Sequence, residues 1–323
     1  MKLRPLGDTG VRLSALGLGA LPFGTDLDED SAAAMLDRCL DAGVNHVDCA
    51  DIYSGGRAET VLGQLLQNPA RRDRLVVSSK VSFPTGRGPN DGGSSRLHLT
   101  RAVEASLRRL QTDRIDVLYL HRFDARAALD DQLRALDDLV RAGKIVYPAA
   151  SNFAAWQVAK ALGRCELRGW ARFAAIQPMY NLIKRQAEVE LLPMAQSERL
   201  GVICYGPLAG GVLSGKYVGA EAQGRFVEDP MYLARYRNLD AHAVAAGLVE
   251  LARQSGHHPA TLAVGWAAAQ PGVTSVLIGG RNLEQLEPSL AAGEADLDED
   301  LIRTIGALTP QPPPANDRNE ERR

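Results

Sequence analysis

The chain has 323 residues, with 37 lysines and arginines against 39 aspartates and glutamates, for a formal net charge of −2. Hydrophobic residues make up 45% and charged residues 24%, a composition typical of globular proteins. The near-neutral balance argues against a dedicated nucleic-acid-binding protein, which normally carries a basic face. The length allows either two medium-sized domains or one large α/β barrel.

Three sequence features bear on where the protein resides. The longest uncharged run, 259–280, is interrupted by Pro271-Gly272 and contains polar residues, so we expect no membrane-spanning helix. The first five residues contain no apolar stretch typical of a signal peptide. Four cysteines without paired spacing are typical of buried free thiols in a reducing compartment. We therefore expect a cytoplasmic protein that needs no structural metal.

Eight short runs of apolar and β-branched residues recur along the chain and predict strands. Amphipathic stretches between them have apolar residues at three- and four-residue spacing and predict helices over 31–42, 101–110 and 130–142. Gly43 and Gly143 follow two of these helices, where a helix C-terminus favours glycine. The predicted strands are 15–19, 44–49, 75–80, 115–121, 144–151, 173–177, 201–205 and 274–279.

This alternation predicts parallel strands joined by right-handed crossovers. Eight such units predict an α/β fold of the closed (β/α)8 type, the TIM barrel, as one domain over residues 1–309. Residues 2–13 contain turn signals and predict a β-hairpin that plugs the bottom of the barrel. The alternative is an open doubly wound sheet. It would need a Gly-x-Gly-x-x-Gly turn, and Gly17-Leu18-Gly19 lacks the third glycine.

Two segments fall outside the alternation of strands and helices. Residues 206–240 are long for a connection and predict either a functional loop or a partly helical segment. Residues 310–323 begin with several prolines and end in a charged run, so we expect a disordered tail.

The carboxyl ends of the strands would share one mouth of such a barrel. Asp48, Lys80 and His121 stand at three of these ends, and Tyr53 follows Asp48 by five residues. A cluster of ionisable groups is costly unless it has a function. The ammonium of Lys80 is expected to lower the pKa of a nearby tyrosine, and a carboxylate would keep that lysine charged. Such a set suits carbonyl reduction, in which an alkoxide takes a proton while a cofactor supplies hydride.

Seven motifs in the right order resemble the aldo-keto reductase family and together span roughly residues 3–290. They are GVNHVDCADIY (43–53), VSSK (77–80), SLRRL with DVLYLHR (106–122), SNF (151–153), QPMYNL (177–182), PL to SGKY (207–217) and IGGRNLEQL (278–286). The resemblance implies a (β/α)8 barrel that uses NADPH without a metal. It also implies that Tyr53 is the general acid, that Asp48 and Lys80 tune it, and that His121 orients the substrate.

The resemblance further implies that NADP(H) binds at the same mouth. Ser151, Asn152 and Gln177 would hold the nicotinamide carboxamide, and Tyr205 would stack on the nicotinamide ring. Small residues in the next loop would permit close approach to the pyrophosphate; this loop includes Gly206, Pro207, Leu208 and Gly210. Cations against the 2′-phosphate favour NADP over NAD. The residues expected on this phosphate and adenosine side are Lys216, Arg225, Gly279, Arg281 and Gln285.

These expectations describe an NADPH-dependent enzyme that reduces a small-molecule aldehyde or ketone, with no nucleic-acid or membrane partner. One alternative is a nicotinamide-binding sensor or regulatory subunit with little turnover; the presence of His121 favours an enzyme, because such relatives can lack this histidine. Another is a different barrel enzyme, such as a sugar-phosphate isomerase, which would not be stabilised by NADPH. Loops 82–96, 122–129 and the segment after Lys216 would set specificity, and we identify no anion-binding clamp in them.

Overall fold

The structure, a computed structural model, describes residues 1–219, 225–236 and 239–316. All eight predicted barrel strands form, and they pair in parallel into a closed barrel in which the last strand pairs with the first. The predicted (β/α)8 fold is therefore confirmed. Two strands form a separate hairpin, β1 (Leu3–Pro5) and β2 (Arg12–Ser14). The eight barrel strands are β3 (Leu16–Gly19), β4 (His46–Asp48), β5 (Val76–Val81), β6 (Ile115–Leu120), β7 (Ile145–Ser151), β8 (Ala175–Gln177), β9 (Gly201–Cys204) and β10 (Ser275–Ile278).

Helices connect the strands, and the three helices predicted from spacing, over 31–42, 101–110 and 130–142, are present. No helix in the described ranges combines the length and the apolar character that crossing a bilayer would require. The helices are α1 (Glu29–Asp41), α2 (Arg57–Leu66), α3 (Pro69–Arg72), α4 (Arg96–Leu110), α5 (Leu129–Arg141), α6 (Ala155–Arg168), α7 (Leu191–Ser197), α8 (Arg225–Glu228), α9 (Pro230–Tyr236), α10 (Ala241–Ser255), α11 (Pro259–Ala269), α12 (Leu283–Leu290) and α13 (Glu299–Gly306).

The first helix illustrates how local sequence sets an element. Asp28 caps α1 by accepting a hydrogen bond from the Ser31 backbone N–H at 2.9 Å. Its buried side chains recur at helical spacing and face the core; they are Ala32, Met35, Leu36, Cys39 and Leu40. Gly43, with φ +82°, follows the helix and turns the chain towards β4.

The hairpin closes the amino-terminal end of the barrel. β1 and β2 pair antiparallel. Leu6, which follows β1, and Leu13, which lies in β2, are fully buried. These two leucines join the side chains that fill the barrel interior, which are Val117, Tyr119, Ala149, Ala175, Ile203 and Leu277. The Pro5 carbonyl also accepts a hydrogen bond from the hydroxyl of Thr274, just before β10, at 3.3 Å. The barrel is therefore filled from below, and its open end is the one where the strands finish.

The long segment after β9 is partly helical, as one of the two predictions had it. It contains a 3-10 turn (Ala209–Ser214) and the short helices α8 and α9. Residues 220–224 and 237–238 of this segment lie outside the described residues.

Near the end of the chain, the carbonyls of Gly306 and Thr309 accept hydrogen bonds from Arg185 at 2.9 and 3.1 Å. Residues 317–323 of the predicted tail also lie outside the described part, so its disorder stays a prediction.

Two helical glycines give a matched test of packing. A Cβ on Gly63 of α2 would come within 2.7 Å of the Leu110 carbonyl carbon in α4, whereas one on Gly163 of α6 would meet nothing within 4 Å. We expect Gly63→Ala to lower the free energy of unfolding by about 1–3 kcal/mol, because the two backbones would have to separate. Gly163→Ala should raise it by about 0.5–1 kcal/mol, since alanine favours helix. Urea denaturation measures both, and similar effects would contradict the close approach of α2 to α4.

Candidate active site

Lys80 is the centre of the cluster at the open end of the barrel. Its ammonium donates to the Asp48 carboxylate, to the Cys49 carbonyl at 2.9 Å and to the Tyr53 hydroxyl at 3.1 Å. The Lys80 and Asp48 side chains are 1% and 2% exposed. All three ammonium protons therefore have acceptors, as a buried lysine requires. The structure brings these three predicted residues into direct contact, while their catalytic role stays a prediction.

The charge of Lys80 is fixed by its partners. Burial acts to lower the pKa of Lys80, but the negative charge of Asp48 and the interactions with Tyr53 outweigh it, so the pKa is raised. Lys80 is therefore an ammonium at neutral pH.

Asp48 is held by two further side chains inside the barrel. Its Oδ1 accepts from the Ser78 hydroxyl at 2.7 Å and from the Gln177 amide at 3.0 Å, and the His46 Nε2 lies 3.0 Å from the Ser78 hydroxyl oxygen. Ser78 and His46 were not among the site residues predicted from the sequence. The available signal was strand alternation, because His46 precedes Asp48 by two residues and Ser78 precedes Lys80 by two, which places each pair on one face.

The phenol of Tyr53 is protonated at neutral pH. Its ring is partly exposed at the mouth, whereas the surroundings of the hydroxyl are densely packed. Burial raises the pKa of Tyr53 to about 12, and the charge of Lys80 acts in the opposite direction without overcoming it. The expected lowering of the pKa by Lys80 is thus present as one contribution, but the net shift is upward. The loss of hydration destabilises the phenolate by more than the charge of Lys80 stabilises it.

His121 follows β6 and lies beside this cluster. Its ring centroid is 6.0 Å from that of Tyr53, with the planes at 76°. Burial, with a further contribution from Lys80, lowers the pKa of His121 to about 3. The imidazole is therefore neutral at physiological pH and can donate one N–H to a substrate oxygen.

A strip of polar groups continues from His121 along the ends of β7, β8 and β9. The Asn152 amide donates to the His121 carbonyl at 2.9 Å, and its oxygen accepts from the Tyr205 hydroxyl at 2.7 Å. The Ser151 hydroxyl donates to the Gln177 carbonyl at 3.0 Å. Asn152 has φ +58°, a left-handed conformation uncommon for a residue with a side chain. Four residues expected at the nicotinamide therefore form one connected group.

The loop after Tyr205 contains two glycines, of which one has open space beside it and the other is packed against a helix. Gly206 has φ +70°, and a Cβ there would meet nothing within 4 Å, so its surface is open. Pro207 and Leu208 lead from it into the 3-10 turn. Gly210 has φ +74°, but its missing side chain makes room for the Tyr232 ring of α9, 2.6 Å from the Cβ position. Gly210 is thus needed for packing against α9 whatever it contacts besides.

The expected phosphate-side residues lie on the segments that follow two neighbouring strands, β9 and β10. Lys216 has its ammonium 4.6 Å from the Tyr217 ring centroid. The Arg281 guanidinium Nε is 3.4 Å from Asp26, and its backbone N–H donates to the Gln285 side chain at 3.2 Å. A Cβ on Gly279 would lie 3.2 Å from the Gly19 carbonyl oxygen of β3, so this strand end is tightly packed. The side chain of Arg225, which begins α8, lies outside the described residues.

Comparisons with known proteins extend over the whole barrel. The sequence pattern of the aldo/keto reductase family matches residues 15–309. The uncharacterized oxidoreductase YrpG of Bacillus subtilis (strain 168) is 36% identical over 323 residues, covering 97% of each chain. A probable voltage-gated potassium channel subunit beta of Arabidopsis thaliana is 36% identical over 303 residues, covering 90% of this chain and 91% of its own. Human aflatoxin B1 aldehyde reductase member 4 is 34% identical over 305 residues, covering 86% and 88%.

Two buried histidines couple stability to pH. Burial lowers the pKa of His46 to about 4 and that of His121 to about 3, whereas both titrate near 6.5 when unfolded. Below pH 6.5 these two imidazoles therefore bind more protons in the unfolded chain than in the folded chain, so their contribution to the free energy of unfolding falls as the pH drops. From pH 7 to pH 5.5 we expect a loss of roughly 1 kcal/mol per histidine.

Urea denaturation of the wild type and of His121→Asn at both pH values measures this coupling. The variant should lose less stability on acidification, by about the share of one histidine. An unchanged pH dependence in His121→Asn would contradict a neutral, buried imidazole at this position.

Proposed function

The chain belongs to the aldo/keto reductase family, and from that membership we propose that it reduces an aldehyde or ketone to the alcohol with NADPH, Tyr53 giving the proton. The observation that carries the proposal is the contact of the Lys80 ammonium with the Tyr53 hydroxyl, 3.1 Å apart at the open end of the barrel. The names of the relatives, oxidoreductase and aldehyde reductase among them, support the reaction class.

The state of each side chain suits this reaction. Tyr53 keeps its proton at neutral pH and so has one to give to the developing alkoxide. Lys80 would stabilise the phenolate that remains, and Asp48 keeps Lys80 charged and in place. His121, being neutral, would donate a hydrogen bond that orients the carbonyl oxygen beside Tyr53.

The neighbouring strand ends fit a nicotinamide nucleotide. Gly206 leaves an open surface at which a phosphate could approach the backbone, and Tyr205 stands immediately before it. Ser151, Asn152 and Gln177 offer amide and hydroxyl groups for the carboxamide, and Lys216 and Arg281 offer positive charge for a 2′-phosphate. When bound, NADPH would supply the hydride, which no side chain of this protein can provide.

Removing the Tyr53 hydroxyl tests the proton donor. We expect Tyr53→Phe to lower kcat/KM for aldehydes roughly 100- to 10,000-fold, the usual contribution of a positioned acid, with the melting temperature and NADPH affinity nearly unchanged. NADPH absorbance against an aldehyde panel gives the rates. Tyr147→Phe is the matched control, because Tyr147 packs against the interior cluster that includes Leu6 of the hairpin. Full turnover by Tyr53→Phe would refute the assignment.

Cofactor choice tests the phosphate-side cations. NADPH should raise the melting temperature more than NADH at equal concentration, because only NADPH carries the 2′-phosphate. Arg281→Gln should weaken NADPH binding by about 10- to 100-fold, the value of a charge-assisted hydrogen bond. NADH affinity serves as the internal control and should change little; an equal loss for both nucleotides would place Arg281 away from the phosphate.

A second candidate function is a nicotinamide-binding regulatory subunit with little turnover. It is favoured by one observation, the 36% identity over 90% of this chain to a relative named as a probable potassium channel subunit beta. Tight NADPH binding without turnover of any aldehyde in the panel would support it over the reductase. The presence of His121 beside Tyr53 and Lys80 favours the reductase.

A further inference from the structure

Arg122 stands next to His121 at the open end of the barrel and begins the loop 122–129, in which the sequence alone indicated no anion-binding clamp. Its side chain is partly buried, and its guanidinium carbon lies 4.5 Å from the Phe83 ring centroid. Among the described residues it makes no hydrogen bond and no ion pair. Its positive charge is close enough to help lower the pKa of His121.

Three other cations around this end of the barrel have carboxylate partners. Lys80 contacts Asp48, Arg281 lies 3.4 Å from Asp26, and Arg126 lies 3.1 Å from Asp124. Arg126 is in the same loop as Arg122, so the contrast is local. A partly buried cation without an anionic partner carries a desolvation cost that contact with one ring offsets only in part. A ligand with a negative charge would supply the missing partner.

Phe83 fixes Arg122 relative to the imidazole. The Phe83 ring stands edge-on to His121, with centroids 4.8 Å apart and planes at 86°, and it carries Arg122 on its face. The preceding residue, Ser82, is fully buried with φ +133°, a conformation that L-residues rarely adopt. Ser82 is held there by the Gly93 N–H at 2.8 Å and the Ser94 hydroxyl at 3.0 Å. The guanidinium is thus presented in a set position at the mouth.

We propose that Arg122 binds an anionic group of the substrate, so that the preferred substrates are aldehydes or ketones carrying a carboxylate or a phosphate. This inference rests on the proposed reductase function. A guanidinium can grip either anion with two parallel hydrogen bonds. Because the Arg122 guanidinium rests on the Phe83 ring and not on the imidazole itself, we place the anionic group several bonds away from the carbonyl carbon.

Matched substrate pairs test the charge alone. We compare 5-oxopentanoate with its methyl ester, and glycolaldehyde phosphate with glycolaldehyde; the first pair tests a carboxylate and the second a phosphate. The wild type should prefer the anionic member of at least one pair by about 10- to 100-fold in kcat/KM. Arg122→Gln should lose this preference mainly through KM, leaving the neutral member within about twofold, and Arg122→Lys should retain part of it.

Arg126→Gln is the matched control, since it removes one positive charge from the same loop and should leave both preferences intact. A wild type that reduces both members of each pair equally overturns this inference and leaves the reductase proposal standing. So does an Arg122→Gln variant that loses charged and neutral substrates alike. A wild type that reduces no member of either pair, nor any aldehyde of the wider panel, overturns the reductase proposal and this inference with it.

Discussion

A single buried ammonium organises this protein's open face. Lys80 is withdrawn from water, and an isolated charge there would lose its proton or destabilise the fold. Asp48, the Cys49 carbonyl and Tyr53 each accept one of its protons, so the position of each is tied to the others. Tyr53 keeps its proton although a cation contacts it, because burial raises its pKa above the lowering effect of Lys80, and the charge of Asp48 adds to the rise.

Strand register delivers these groups to one place. Asp48 lies opposite Ser78 across β4 and β5, and Ser151 lies opposite Gln177 across β7 and β8. In a parallel barrel a shift of one residue would turn every side chain to the other face. The apolar packing of the barrel interior therefore does more than stabilise the fold. It also fixes the register that brings the polar residues at the strand ends together.

The fold could be predicted largely from the sequence, because each barrel strand is a short apolar run with a distinct end and the helices between them keep their spacing. The positions of Asp48, Lys80 and His121 at strand ends followed from the same pattern. Three features could not be predicted. The net pKa of Tyr53 depends on packing. The space beside Gly210 is filled by Tyr232 of α9, later in the same connection between β9 and β10. The anion-binding role proposed for Arg122 rests on the lack of a carboxylate partner among the described residues. Each depends on contacts between segments remote in sequence, which local spacing does not contain.

The hairpin has a consequence for how small molecules move. Leu6 and Leu13 fill the amino-terminal end of the barrel, so the interior offers no passage from that end to the other. A small molecule that binds beside Tyr53 would therefore enter and leave at the carboxyl-terminal end of the barrel. In the proposed reaction, substrate and product would compete for the same opening, so product release would have to precede the next binding event.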